Sequence, residues 1–170
     1  MKRNPIVGEG TSLHEWQGSR HLAAVDSIDI LDLVPPGSRA VVIAPHPDDE
    51  VLGCGGLLQA LAAAGRTLQL ISVTGGSASH PGSERWPVER LSVVRPQESA
   101  EALRRLGLPM HQLQWLRGGF PDTQVAARES MLCQYLTRYL QPEDVVFTTW
   151  REDGHSDHEA VGRASVEAAR

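Results

Sequence analysis

Four short apolar runs, each followed by a stretch whose apolar residues recur at helical spacing, set the strongest limit on how this chain can fold. They predict strands over residues 39–44, 67–73, 111–116 and 144–149, and helices over residues 50–64, 88–106, 123–140 and 156–169. Regular alternation of this kind is typical of parallel sheets joined by right-handed crossovers. We therefore predict an α/β fold: a Rossmann-like, doubly wound, mostly parallel sheet with helices on both faces.

The first 37 residues differ in character from the rest of the chain. Proline and glycine recur through them, and the span from Leu22 to Leu33 is the part with apolar residues suited to a short helix. We expect residues 1–37 to be an N-terminal arm laid over a single domain formed by residues 38–170. A chain of 170 residues is long enough to bury a hydrophobic core in one domain.

A cluster of one histidine and three carboxylates follows the first predicted strand. The run Ala44-Pro45-His46-Pro47-Asp48-Asp49-Glu50 stands between that strand and the next helix, where open α/β sheets place their ligand sites. His46 and Asp49 offer an imidazole and a carboxylate three residues apart, which suits two ligands of a zinc ion. The alternative is that the acidic residues cap the helix and offset its macrodipole.

A second cluster, His155-Ser156-Asp157-His158, follows the last predicted strand. If both strands belong to one parallel sheet, the two clusters open at the same edge of it. The second cluster then supplies a third ligand and leaves a position open, which is the pattern of a catalytic rather than a structural zinc site. Helix capping does not readily explain two such clusters in matching positions.

Together the two motifs resemble those of a known family. The segments VVIAPHPDDEVLGCGGLLQALAAAGRTLQLISVTGG and HSDHEAVGRA are similar to the PIG-L/LmbE-like zinc-dependent N-acetylglucosamine deacetylases. Weaker similarity lies between them, in Arg95-x-x-Glu98 and in Phe120-Pro121-Asp122. The resemblance runs from about Arg39 to the end of the chain.

This resemblance implies roles for individual residues. Asp48 would be the general base that takes a proton from the attacking water. His155 would stabilise the oxyanion, and Asp157 would orient the His155 ring. Zinc suits such a hydrolase because it lowers the pKa of its bound water to about 7. The ligands of one Zn²⁺ per chain would be His46, Asp49 and His158.

Four further residues are candidates for contacts with a substrate: Arg95, Trp150, Arg151 and Asp153. Arg151 and Asp153 could bind sugar hydroxyl groups, and Trp150 could either stack on a sugar ring or pack beneath its loop. The loop from Thr74 to Pro87 follows the second predicted strand and should overhang the same edge of the sheet. It is either functional or a mobile connection without ligand contacts.

Composition argues against several classes of function. Sixteen basic against twenty-one acidic residues give a net charge of −5, which disfavours a nucleic-acid surface. No apolar run approaches the ~20 residues of a membrane span, and the polar residues after Lys2 and Arg3 are unlike a signal peptide. Cys54 and Cys133 lack metal or redox spacing. We expect a cytoplasmic protein with reduced thiols and without nucleic-acid or membrane partners.

The glycines at positions 53, 55 and 56 could suggest a dinucleotide-binding turn. The third position of that fingerprint is Leu58 here, and the glycines fall inside the predicted helix rather than in the turn before it. We interpret them as permitting close approach of this helix to the sheet.

The predicted function is zinc-dependent removal of an N-acyl group, with the N-acetyl group of an N-acetylglucosamine-type amino sugar as the expected substrate. Two alternatives remain open: a metal- or sugar-binding module without turnover, and an amidase on another small amide conjugate. The chain stops at Arg170 inside a predicted helix that lacks a C-cap signal. We expect either a truncated C-terminus or a minimal domain, and an apolar edge left by truncation would favour a homo-oligomer.

Overall fold

The computed structural model describes residues 10–170 and confirms the alternation of strands and helices. The strands are β1 (Arg39–Ala44), β2 (Thr67–Thr74), β3 (Leu113–Phe120) and β4 (Asp144–Thr148). The helices are α1 (Leu13–Gln17), α2 (Arg20–Ala23), α3 (Ile30–Leu33), α4 (Asp49–Leu52), α5 (Gly55–Ala63), α6 (Val88–Arg105), α7 (Glu129–Thr137) and α8 (Ser156–Ala168). A 3₁₀ turn, Ala126–Arg128, precedes α7.

The four strands form one parallel sheet in the order β3-β2-β1-β4. The chain moves outward from β1 through β2 to β3 and then returns to the other side of β1 as β4. The strand order therefore reverses between β1 and β4. Such a switch point leaves a crevice beyond the carboxyl ends of the two strands, which is where open α/β sheets bind ligands.

Alternating residues of β1 contribute to two separate hydrophobic cores. Val42 faces a cluster that includes Leu58 of α5 and Leu103 of α6. Ile43 faces the opposite cluster, which includes Leu132 of α7 and residues of α8. Because β1 is buried on both faces, it reads as a continuous apolar run. The prediction of a doubly wound sheet with helices on both faces is confirmed.

The predicted helix over residues 50–64 is wrong as a single element, because the chain turns at Gly53 and Cys54 between α4 and α5. A Cβ atom at Gly53 would lie 2.9 Å from the carbonyl oxygen of Asp49, so the turn is tighter than a side chain permits. The interpretation that these glycines approach the sheet is also wrong. Gly55 lies against the Leu106 side chain, and Gly56 faces open space.

Strand β3 is displaced from the predicted 111–116 to Leu113–Phe120 because it continues through two glycines. The pairing with β2 shifts there: Ser72 pairs with Arg117, and Thr74 pairs with Phe120. Two residues of β3 therefore oppose one of β2, and Gly119 has φ +68°. This is a β-bulge, a feature that requires glycine at such a positive φ and re-aims the residues that follow.

The N-terminal arm and α7 also depart from the predicted bounds. The span from Leu22 to Leu33 is not one helix, since α2 ends at Ala23 and α3 begins at Ile30 with Asp29 as its N-cap. Val34 is fully buried in the core beside α6 and anchors the arm. The helix predicted over 123–140 is shortened to Glu129–Thr137. The arm begins within residues 1–9, which lie outside the described residues, and the boundary at residue 37 stays a prediction.

We predict opposite effects of alanine at two helical glycines. At Gly162 of α8 a Cβ atom would lie 2.6 Å from the Thr149 carbonyl oxygen, so Gly162→Ala should destabilise the fold by about 1–3 kcal/mol through overpacking. At Gly56 of α5 nothing lies within 4 Å, so Gly56→Ala should stabilise it by up to about 1 kcal/mol. Urea unfolding midpoints measure both effects. Equal changes in the two variants would contradict the packing described here.

Candidate metal centre and catalytic site

Three segments converge at the switch point of the sheet. His46 to Asp49 follow β1, Asp122 and Thr123 follow β3, and His155 to His158 form the N-cap and first turn of α8. A cavity of about 260 Å³ opens among them. It is lined by His46, Asp48, Asp49, Ala78, Ser79, Arg95, Asp122, Thr123, His155 and His158. The two motifs of the sequence thus meet in one place, although their central histidines are 112 residues apart.

The three predicted metal ligands form a nearly equilateral triangle of donor atoms. His46 Nδ1 lies 3.3 Å from His158 Nε2, and Asp49 Oδ2 lies 3.4 Å from each of these nitrogens. Tetrahedral ligands at Zn–N and Zn–O distances of about 2.0–2.1 Å are separated by about 3.3–3.4 Å. Two imidazoles and one carboxylate also match the donor set of catalytic zinc sites. The residues present therefore fit a zinc ion with one position left open.

The carboxylate of Asp157 contacts His46 at Nε2, the ring nitrogen opposite the metal triangle. Asp157 is fully buried and accepts hydrogen bonds from the Thr123 N–H at 2.7 Å and from the Val125 N–H at 3.1 Å. Its Oδ2 also lies 3.3 Å from His46 Nε2. This arrangement corrects the expected pairing of Asp157 with the His155 ring. The carboxylate orients His46 instead, so that Nδ1 points to the metal triangle.

Two further carboxylates face the histidines of the triangle: Asp122, which has no predicted role, and Asp153, which was expected to bind sugar hydroxyl groups. Asp122 Oδ1 lies 3.3 Å from His46 Nε2, and Asp122 Oδ2 accepts a 2.7 Å hydrogen bond from the Ala78 N–H. Asp153 Oδ1 lies 3.1 Å from His158 Nδ1. The Pro121-Asp122 pair was visible as a loop motif, but no spacing rule connects it to His46. Asp122 also ties the long loop after β2 to the site.

Asp48 has an unusual backbone conformation. Its φ of 136° and ψ of −33° are rare for a residue with a side chain, and its N–H donates a 3.1 Å hydrogen bond to Glu50 Oε2. Glu50 is fully buried, and burial raises its pKa. The carboxylate of Asp48 stays half-exposed in the cavity. The Asp48 side chain makes no cap hydrogen bond to α4. Its backbone conformation therefore directs the carboxylate to the solvent side of the metal triangle and away from a helix-capping position.

Arg95 holds this conformation in place. Its guanidinium donates to the Pro47 carbonyl at 2.5 Å, to the Gly76 carbonyl at 2.8 Å and to Asp48 Oδ2 at 2.9 Å. A Cβ atom at Gly76 would overlap the guanidinium and lie 2.7 Å from Pro47 Cδ. Arg95 was predicted to bind substrate. It lines the cavity, but its hydrogen bonds brace the loops around Asp48.

Burial and the surrounding carboxylates shift the pKa values of the triangle. Burial alone would lower the pKa of His46, but Asp122, Asp157 and Asp49 outweigh it and raise that pKa to about 11. Burial alone would also lower the pKa of His158, but the neighbouring Asp49 carboxylate outweighs it and raises that pKa. The pKa of Asp49 is held well below its usual range, because His158 and His46 outweigh its burial. Without a metal, protons on the imidazoles balance these carboxylates.

His155 behaves differently from the two other histidines. Burial, together with the neighbouring charges of His46 and His158, lowers its pKa. Its Nδ1 accepts a 3.2 Å hydrogen bond from the Asp157 N–H as the N-cap of α8. A neutral imidazole that accepts at Nδ1 carries its proton on Nε2. His155 therefore offers an N–H donor to the cavity at neutral pH.

The remaining predicted contacts lie outside this cavity. Trp150 is 65% exposed and Arg151 is also exposed, and within residues 10–170 neither contributes to the cavity wall. The loop from Thr74 to Pro87, by contrast, contributes Ala78 and Ser79. Of the two open interpretations of that loop, the structure favours the one with contacts at the site.

Comparison with known proteins finds the same family over most of the chain. The profile of the family described as PIG-L, GlcNAc-PI de-N-acetylase, matches residues 41–169. YaiS of Escherichia coli (strain K12), an uncharacterized deacetylase, is 33% identical over 137 residues, which cover 76% of this chain and 67% of YaiS.

Two further similarities extend this result. The 1D-myo-inositol 2-acetamido-2-deoxy-alpha-D-glucopyranoside deacetylase 1 of Catenulispora acidiphila is 26% identical over 168 residues, which cover 80% of this chain and 51% of that protein. The crystal structure of the A40926 pseudoaglycone deacetylase Dbv21 superimposes with a TM-score of 0.58 at 29% identity, covering 77% of this chain and 59% of Dbv21. The chain thus spans about half to two thirds of these relatives. Among its described residues, no helix is both long and apolar enough to cross a membrane.

We predict that Asp157→Asn weakens metal binding more than Asp153→Asn does. An amide at position 157 turns one hydrogen-bond acceptor into a donor that faces a backbone N–H, which should cost about 1–3 kcal/mol of stability. Loss of the His46 partner should weaken metal affinity by about 10–100-fold. Asp153 also faces a histidine of the triangle, His158, but it is exposed and accepts only one backbone hydrogen bond, from His155, so the loss should be smaller in Asp153→Asn. Metal titrations and unfolding curves of both variants test this, and equal affinities would contradict it.

We also predict the charge states of two site histidines in metal-free protein. At pH 8 the His46 ring should carry protons on both nitrogens, because pH 8 lies below its raised pKa. The His155 ring should be neutral with its proton on Nε2, because pH 8 lies above its lowered pKa. Ring ¹⁵N chemical shifts measure both states, with assignment by the single His→Asn variants. A neutral His46 at pH 8 would show that the carboxylates do not control this site.

Proposed function

Since the chain belongs to the PIG-L (GlcNAc-PI de-N-acetylase) family, we propose that it is a zinc-dependent hydrolase that removes an N-acetyl group from an amino sugar such as an N-acetylglucosamine derivative. The observation that carries the proposal is the triangle of His46, Asp49 and His158 beside the half-exposed carboxylate of Asp48. The name of the relative from C. acidiphila supports amino-sugar deacetylation, and the name of Dbv21 supports deacetylation.

We assign one zinc ion per chain to His46 Nδ1, Asp49 Oδ2 and His158 Nε2. When bound, zinc supplies a Lewis acid that lowers the pKa of a water molecule to about 7. A second possible donor set, His46 with Asp122 and Asp157, uses the opposite nitrogen of the same ring. We assign that set to hydrogen bonding, because the Nε2–H of a ligand histidine normally donates to a carboxylate.

Asp48 acts as the general base. Its carboxylate is within the cavity and half-exposed, and burial raises its pKa although the Arg95 guanidinium opposes that rise. A carboxylate with a raised pKa is a better proton acceptor at neutral pH than an ordinary aspartate. It receives one proton from the attacking water while the water oxygen bonds to the amide carbon. Arg95 keeps this carboxylate in position through its hydrogen bond at 2.9 Å.

His155 acts on the other side of the amide. Its Nε2–H donates to the carbonyl oxygen as negative charge develops there, which stabilises the transition state in the manner of an oxyanion hole. The C–N bond then breaks, and Asp48 returns to the leaving amine the proton that it took from the water. The products are acetate and a free amino sugar.

We predict that His46→Ala and Asp48→Asn separate metal binding from chemistry. His46→Ala should lose both zinc and activity, because one of three ligands is removed. Asp48→Asn should keep zinc at wild-type stoichiometry and lose about 10²–10⁴-fold in rate, because an amide cannot accept the proton. Acetate release from a panel of N-acetylated amino sugars, measured alongside metal content, tests both variants.

Asp32→Asn is the control, because Asp32 lies in α3 of the N-terminal arm. It should match the wild type in zinc content and in rate. Near-wild-type turnover by Asp48→Asn would refute the assignment of the base. Full zinc content in His46→Ala would refute the ligand set.

A further inference from the structure

A second cavity opens next to the metal-site cavity, and none of the residue roles proposed for amide hydrolysis uses its far wall. It encloses about 390 Å³ and is bounded by α4, α6 and the loop after β2. Asp48, Ser79 and Arg95 line both cavities. The two are therefore parts of one cleft, which continues past the carboxylate of the general base.

The walls of the two parts differ in chemistry. The metal-site cavity presents charged and polar groups, among them Asp122, Thr123 and His155. The second cavity has a mostly apolar surface with Val51, Leu52 and Ala102 on its walls, and His80, Glu98 and Ser99 add polar groups to its lining. Leu52 is 83% exposed and directly follows the partly buried Val51 in α4. It is an apolar side chain at the mouth of a cleft that leads to the catalytic carboxylate.

We propose that this second cavity binds the N-acyl chain of the substrate, and that the protein prefers amino sugars whose acyl chain is longer than acetyl. The proposal rests on the amide hydrolysis proposed above. The sugar and the acyl chain leave the amide group in opposite directions. Sugar hydroxyl groups need polar partners, and these lie on the side of Asp122, Thr123 and His155. The acyl chain then points past Asp48 into the apolar part of the cleft.

The test is a series of glucosamines carrying N-acetyl, N-butyryl, N-hexanoyl and N-octanoyl groups. The value of kcat/KM should rise from acetyl to hexanoyl, by up to about fourfold for each methylene that becomes fully buried. It should level off once the cavity is filled. Equal or falling kcat/KM along the series would overturn the proposal.

Two variants link the preference to this cavity. In Leu52→Glu and in Ala102→Phe the ratio of kcat/KM for N-hexanoyl over N-acetyl glucosamine should fall toward one, because the cavity becomes charged or filled. Val93→Glu is the matched control, since Val93 lies on α6, is 56% exposed and is outside the cavity lining. Its ratio should equal that of the wild type. An unchanged ratio in both cavity variants would overturn the assignment.

Two additional arms separate this proposal from its alternatives. If the hexyl glycoside of N-acetylglucosamine gains in kcat/KM while N-hexanoyl glucosamine does not, the cavity holds an aglycone and the proposal is wrong. If no glucosamine derivative is hydrolysed, the proposed function fails and calorimetric binding decides. Tighter binding of N-hexanoyl than of N-acetyl glucosamine, lost in Leu52→Glu, would still support the acyl site, and equal binding would overturn it.

Discussion

The buried carboxylate of Asp157 is the contact on which the rest of the site depends. It lies in the first turn of α8, where the helix dipole favours a negative charge. From there it binds the backbone N–H groups of Thr123 and Val125 in the loop after β3, and it faces His46 after β1. One side chain thus joins three segments that are far apart in sequence. A buried carboxylate is stable only when such partners satisfy it.

The site is assembled around an excess of negative charge. Carboxylates of Asp49, Asp122 and Asp157 surround the imidazole of His46, and Asp153 adds another beside His158. This excess explains why His46 is strongly basic while His155, which faces two other histidines, is not. A divalent cation and protons can meet the same electrostatic need. Metal binding and protonation are therefore competing ways to neutralise one cluster of carboxylates.

The fold and the meeting of the two motifs could be predicted because both depend on local patterns. Apolar runs fix the strands, and parallel strands bring the residues that follow them to one edge. The partners of Asp157 and Arg95 could not be predicted in this way. Thr123 and Val125 reach Asp157 from the loop that follows the bulge at Gly119, and Arg95 reaches Asp48 from a helix in another part of the chain. Such contacts depend on how elements pack, which residue spacing does not encode.

The backbone of Asp48 shows what the arrangement costs. A φ of 136° is energetically unfavourable for any residue with a Cβ atom, by about 1–3 kcal/mol, and here Arg95 and Glu50 hold it. Glycine would adopt this conformation without strain. The most stable residue at position 48 is therefore one that has no carboxylate. Selection for stability alone would remove the proposed base, so the aspartate marks a position where stability and the proposed chemistry are opposed.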